Sequence, residues 1–199
     1  MRALTRKLQR DTWHYRSQLG AIAVVMACGV ALFVALRSMH GYLRERQASY
    51  YAEYHFAELF AQVKRAPSSI APALRAIPGV AAVETRVVTS AVLDVPGLAE
   101  PANGWLVSIP NQPRDMLNGI RLQSGRYPSA GRADEVLLSQ AFAGANRLRP
   151  GDTLGAILRG RWETLRVVGT AISPEFIYEI PAGGGALFPD NQRFGVIWI

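Results

Sequence analysis

The feature that most constrains this chain is a run without a single charge, SQLGAIAVVMACGVALFVAL, from Ser17 to Leu36. A helix of about twenty residues is about 30 Å long, the hydrocarbon thickness of a bilayer. Nine of these residues are Leu, Ile, Val or Phe. On the insertion scale such residues together favour the membrane by about 3 to 5 kcal/mol. A cleaved export signal would have a shorter apolar region and a small-residue cleavage site. Here the run goes on to Arg37 and Met39 without one. A core helix of a water-soluble domain would carry a polar stripe. The run therefore reads as a transmembrane helix over 17–39.

The flanks set an orientation. Arg2, Arg6, Lys7, Arg10 and Arg16 precede the span, opposed only by Asp11. A basic cluster before a first span keeps that end in the cytoplasm, and a large following domain translocates largely regardless of its charge. Residues after 40 are then expected in a periplasm-like space, outside a plasma or cell inner membrane. The net charge of +7 does not point to nucleic acid, because the cluster faces the bilayer, where each Lys or Arg near anionic headgroups contributes about 1 kcal/mol. Arg6, Lys7, Arg10, Trp13 and Tyr15 form the expected membrane-interface set. Residues 1–16 read either as an amphipathic interfacial helix that also touches a cytoplasmic partner or as a plain topology signal. Within the span, Ala23, Ala27, Ala31 and Ala35 recur every fourth position. Such a ridge of small side chains admits a second helix at close range, although this chain is alanine-rich throughout.

Beyond the span, residues 40–66 contain no proline. Phe56, Leu59, Phe60 and Val63 fall at i, i+3, i+4 and i+7, one face of a helix. The spacing predicts a stalk helix over 40–66 with these four on its packed face. Tyr50, Tyr51 and Tyr54 read as packing residues of that stalk. From Pro67 onward the pattern becomes mixed. IAPALRAI (70–77) reads as a short helix with Ser68 or Ser69 as its cap, stopped by Pro78-Gly79. VAAVETRVVTSAVLDV, WLVSIP and EVLLS read as strands, and QAFAGANRL as a helix capped by Ser139. AILRGRWETLRVVGTAI reads as a hairpin that turns near Arg159-Gly160. The fold class expected is α+β: one N-terminal transmembrane helix, a stalk, and a mixed domain over 67–199.

Chemistry is sparse. The lone Cys28 lies in the span, so neither a disulfide within the chain nor a cysteine zinc site can form. There is no phosphate-cradling loop, and Gly183 to Gly185 lack the lysine that one needs. His14, His40 and His55 are too dispersed for a local metal motif. Glu175 and Glu179, four apart, could do acid–base work, but Pro174 and Pro181 argue for a structural loop. Arg126 and Arg132 in SGRYPSAGRADE read as a solvated loop rather than a phosphate site. No G-x-S-x-G elbow is present. No catalytic residue, cofactor or metal ligand is expected, and the chain reads as a non-enzyme.

The order of parts, with FAELFAQVKRAP (56–67), IPGVAAVETRVV (77–88), VSIP (107–110), LQSGRYPSAGRADEVLLSQAFAGANRLRPGDTL (122–154), LRVVGTAISPEFIY (165–178) and FPDNQRFGVIWI (188–199), resembles the FtsX-like permeases. These are the macrolide-efflux and lipoprotein-releasing permeases of ABC transporters. The resemblance implies a periplasmic core domain moved by a separate cytoplasmic ATPase subunit, with residues 40–66 as the lever. It implies further spans, from the rest of a longer permease or a second copy, and so an outer domain incomplete at its C-terminus. It implies no catalytic residue in this chain and selects no substrate. The alternative is a single-span protein whose outer domain binds a partner or acts as a scaffold. A membrane-anchored periplasmic enzyme is a third reading, weakened by the lack of a site.

Overall fold

The computed structural model describes residues 5, 7, 10, 12–67, 69–110, 116–181 and 188–199. Arg6, the alternative cap Ser68 and the Gly183–Gly185 loop lie outside the described residues. The chain divides into two compact units, Met1–Ser49 and Tyr50–Ile199.

The first unit is dominated by α1, Arg16–Glu53, a single helix of 38 residues that buries none of them. It is long and apolar enough to cross a membrane. Leu, Ile, Val and Phe exposed along its whole circumference are tolerated in lipid and costly in water.

The second unit is a mixed domain. Its elements are α2 (Ile70–Arg75), β1 (Val88–Asp94), β2 (Ala102–Val107), β3 (Arg121–Gly125), β4 (Glu135–Ser139), α3 (Gln140–Ala145), β5 (Thr153–Leu158), β6 (Arg161–Ile172) and β7 (Phe194–Trp198). The protein is thus α+β, one long apolar helix followed by a helix-and-strand domain. The strands pair in the order β3-β6-β4-β7-β2-β1-β5, and β5 pairs again with β6. Six strands therefore close into a ring, with β3 appended to β6. Closure is possible because β6 is long: Arg161 to Arg166 pair with β5, and Arg166 to Ala171 pair with β4. The β5–β6 turn is Arg159-Gly160, with φ of 52° and 79°. Two successive positive φ values give the primed turn whose twist matches a tight hairpin.

The ring separates two cores. Alternation sends Val136 and Leu138 of β4 and Ile197 of β7 to one side, with Leu93, Leu154, Leu165 and Val167. It sends Leu137, Val196 and Trp198 to the other, with Val168, Ala171 and Met116. Every ring strand contributes to the first cluster, which fills the interior, and α3 closes it with Phe142. The second cluster lies outside the ring beneath the segment around Phe176. β4 and β7 are consequently buried on both faces, which is why VLL (136–138) and FGVIW are continuous apolar runs rather than alternating ones.

Phe142 reaches the sheet over a glycine. A Cβ on Gly195 would lie 2.3 Å from the Phe142 ring, whereas a Cβ on Gly144 meets nothing within 4 Å. Gly195→Ala is predicted to destabilise the full chain by about 1–3 kcal/mol through overpacking. Gly144→Ala, in an exposed helical turn, is predicted to be neutral or stabilising by up to about 1 kcal/mol. Denaturant unfolding in detergent micelles measures both, and equal effects would contradict this packing.

Candidate functional site

The expected stalk helix over 40–66 is corrected by the structure: α1 stops at Glu53, and residues from Phe56 to Pro67 are irregular. The stop is built from backbone. His55 takes φ of 47°. The His55 N–H donates to the Ala52 carbonyl, and the Phe56 N–H reaches back to the Tyr51 carbonyl at 2.9 Å. These two bonds and a left-handed residue make a Schellman end. Its usual apolar contact is supplied by Tyr51 and Phe56, stacked with centroids 4.5 Å apart. The helical spacing of Phe56, Leu59, Phe60 and Val63 therefore marks no helix face. Phe56 and Phe60 contact each other with tilted rings, centroids 5.7 Å apart, and Leu59 is 86% exposed.

What overrides helix continuation is a clamp onto the domain at Asn118. The Asn118 N–H donates to the His55 carbonyl at 3.0 Å, and the Gly119 N–H donates to the Tyr54 carbonyl at 2.8 Å. In return, Asn118 Oδ1 accepts from the Ala57 N–H at 2.9 Å. Three hydrogen bonds thus bind three chain positions past the helix, Tyr54, His55 and Ala57, to one turn. Asn118 is 5% exposed and holds a left-handed φ of 53°. Asn is among the few non-glycine residues that tolerate that region. Gly119 faces Tyr54 so closely that a Cβ would lie 3.1 Å from its ring.

A strap runs from the same point. Ser173 Oγ donates to the Asn118 carbonyl at 3.4 Å and accepts from the Glu175 N–H, opening a short turn over Pro174–Phe176. Phe176 meets Trp198 edge-on at 6.2 Å, covering the outer core. Arg86 pairs with Glu175 Oε1, and its guanidinium lies 6.0 Å from the Phe176 ring. Glu175 Oε2 is buried with no hydrogen-bond partner. Farther on, Glu179 is 5% exposed and its Oε2 accepts from Ser139 Oγ at 2.6 Å. Ser139 does occupy the cap position of α3, but its hydroxyl makes no cap bond. It serves Glu179 and accepts from the Val196 N–H instead. Burial pushes the Glu179 carboxyl up to about 7, against the opposing pull of Ser139 and the Val196 N–H.

The SGRYPSAGRADE loop is held by its own ion pairs. Arg126 grips Glu135 with two bonds at 2.6 and 2.7 Å. Those bonds and one from the Ser129 N–H hold the Glu135 carboxyl down at about 2. Arg132 forks onto Asp134 in the same way. Both guanidinium groups are committed to carboxylates. The loop is accordingly structural, and Tyr127 ties it to β3 by donating to the Ile120 carbonyl at 2.5 Å.

The remaining predicted residues lie in the first unit. Lys7 and Arg10 are helical and exposed. Trp13 is exposed and carries the Arg16 guanidinium 4.9 Å over its ring, and Tyr15 meets His14 edge-on at 5.1 Å. Ala23, Ala27, Ala31 and Ala35 all sit exposed on α1. No described groups of three or more His, Cys, Asp or Glu could hold a metal ion. Asn118, Gly119 and Ser173 were missed by sequence reasoning, and Ser139, expected as a helix cap, was missed as the partner of Glu179. The Asn118-Gly119 dipeptide is a turn signal that locates the clamp's turn, though not its partner.

No family model and no curated protein matches this sequence. Among solved structures, the chain is similar to the extracellular domain of a noncanonic ABC-type transporter, YknZ, from Gram-positive bacteria. The likeness has 16% identity and a TM-score of 0.41 over 66% of this chain. The chain spans 60% of the length of that one. At this identity and score the likeness assigns neither family nor function.

Asn118→Ala removes the acceptor for Ala57 and leaves a Cβ at positive φ. It is predicted to cost about 2–4 kcal/mol, and Asn118→Gly about 1 kcal/mol less because glycine bears no such strain. Denaturant unfolding in micelles tests this, and a loss below about 0.5 kcal/mol for Asn118→Ala would contradict the clamp.

Proposed function

We propose that this chain is the N-terminal part of an ABC transporter permease of the FtsX-like, macrolide-efflux and lipoprotein-releasing type. It transmits ATP-driven motion of a separate cytoplasmic ATPase subunit to a periplasmic domain, for export or extraction of a substrate. The observation that carries the reading is the bonding at Asn118. The helix that bears the apolar run ends not in a free linker but in three hydrogen bonds to a folded domain. A displacement of the chain at Tyr54 therefore acts on the domain without slack. The order of span, lever and α+β domain, and the sequence resemblance above, support the same reading.

On this reading the N-terminus is cytoplasmic, in the inner membrane, and residues beyond 40 are periplasmic. Arg6, Lys7, Arg10, Trp13 and Tyr15 sit at the headgroups. The alanine ridge from Ala23 to Ala35 packs on another span of the permease or on a second copy. The lever is α1 together with its Asn118 clamp, in place of a helix reaching residue 66. Catalysis of ATP hydrolysis resides on the partner subunit.

A second reading, a single-span binding or scaffold protein, is favoured by one observation. Val92, Ile157 and Trp162 are paired across β1, β5 and β6 and all three are exposed. An apolar row on an outer sheet face suits a protein partner.

The chain tagged at its own locus and extracted in mild detergent separates the two. The permease reading predicts a polypeptide several times larger than 21.7 kDa that purifies with a nucleotide-binding subunit and vanadate-sensitive ATP hydrolysis. A product of about that mass without ATP hydrolysis would overturn it in favour of the scaffold.

A further inference from the structure

The segment from Ser173 to Pro181 is inside out. Ile177, Tyr178 and Ile180 are exposed, while the one carboxyl among them, Glu179, is buried. Hydrophobic burial therefore does not hold the far end of this strap in place. What holds it is the carboxyl's own bond from Ser139 at the head of α3, whose hydroxyl oxygen in turn accepts from the Val196 N–H of β7.

A buried carboxylate needs a cation or a full set of donors to remain ionised. The charged groups of the elements packed around Glu179 are engaged elsewhere. On β4, Glu135 is bound to Arg126. On the strap, Glu175 is bound to Arg86. Before β7, Asp190 accepts from the Gln192 and Arg193 N–H groups, and Arg193 pairs with Glu100. α3 and β7 contain no charged residue. Among the described residues one hydrogen bond reaches the Glu179 carboxyl, from the Ser139 hydroxyl, and the Val196 N–H behind it is given to Ser139 Oγ.

We propose that the strap from Ser173 to Pro181 is a proton-operated latch: protonated Glu179 pins its far end to Ser139 and β7, and loss of that proton frees the end while Ser173 keeps the near end on Asn118. The inference goes beyond the transporter reading and does not depend on it. The free-state carboxyl titrates near 4.5, and the pinned one near 7. A group whose folded value is raised contributes fully below the free value, and the contribution is lost as pH rises through the folded value. The latch is therefore closed at pH 5 and weakens as pH passes 7. Freed, the far end over 177–181 leaves α3 and β7, while the Arg86–Glu175 pair and the Ser173 bond keep the turn at Pro174–Phe176 in place.

Amide hydrogen exchange of the full chain in detergent, corrected for intrinsic rates at each pH, tests this. Protection of the 173–181 segment is expected to fall on the order of tenfold between pH 5.5 and 8.5, with the β1–β2 pair unchanged. Glu179→Gln, which keeps the shape and cannot ionise, is expected to stay protected at both. Native protection independent of pH, or the same fall in Glu179→Gln, would overturn the proposal. Should Glu179→Gln not fold, Ser139→Ala supplies the second arm. It removes a donor that favours the carboxylate, so the midpoint of the native transition moves to higher pH. An unmoved midpoint would equally overturn the latch.

Discussion

The rest of this structure depends on a single residue bonded in three directions, twice through its backbone and once through its side chain. Asn118 gives its N–H to His55, takes the Ala57 N–H on its amide oxygen, and offers its carbonyl to Ser173. The first two bonds end the long helix where it meets the domain. The third starts the strap that covers the outer core. A residue in this position must be polar, compact and tolerant of a left-handed backbone, and asparagine is the side chain that combines all three.

The domain behind the clamp is suited to bear load. A ring of six strands has no free edge except at β3, and each strand is held on both sides. β7 passes between β4 and β2 with cores on both faces, so a force applied near Asn118 meets packed side chains rather than a flexible margin. The ion pairs of Arg126 with Glu135 and Arg132 with Asp134 fasten the loop between β3 and β4. A locked helix end and a closed sheet, both within Tyr50–Ile199, are the features on which the transporter reading proposed above rests.

Much of this was legible in the residues. The apolar run without charge gave the long helix, because composition alone decides such a segment. EVLLS and the Arg159-Gly160 hairpin were readable because burial on both faces and paired positive φ values leave local signatures. The stalk was misread for an instructive reason. Phe56, Leu59, Phe60 and Val63 have helical spacing, but the bonds that end the helix come from Asn118, 61 residues away from Ala57. β1 begins at Val88 rather than near Val80, and the segment before it is held through side chains, Glu84 on the Leu117 N–H and Arg86 on Glu175. β3 carried no alternation and went unassigned. Glu175 and Glu179, four apart in sequence, are not paired with each other. Their separate partners, Arg86 and Ser139, lie 89 and 40 residues distant, beyond any local pattern.

The central claim is that the end of the long helix is locked to the domain through Asn118. Amide exchange at Ala57 in the full chain in detergent or nanodiscs tests it most directly. The account predicts that Ala57 and Gly119 are protected, and that they lose protection together in Asn118→Ala. An Ala57 amide that exchanges as fast as that of its exposed neighbour Leu59 in the native chain would contradict the account.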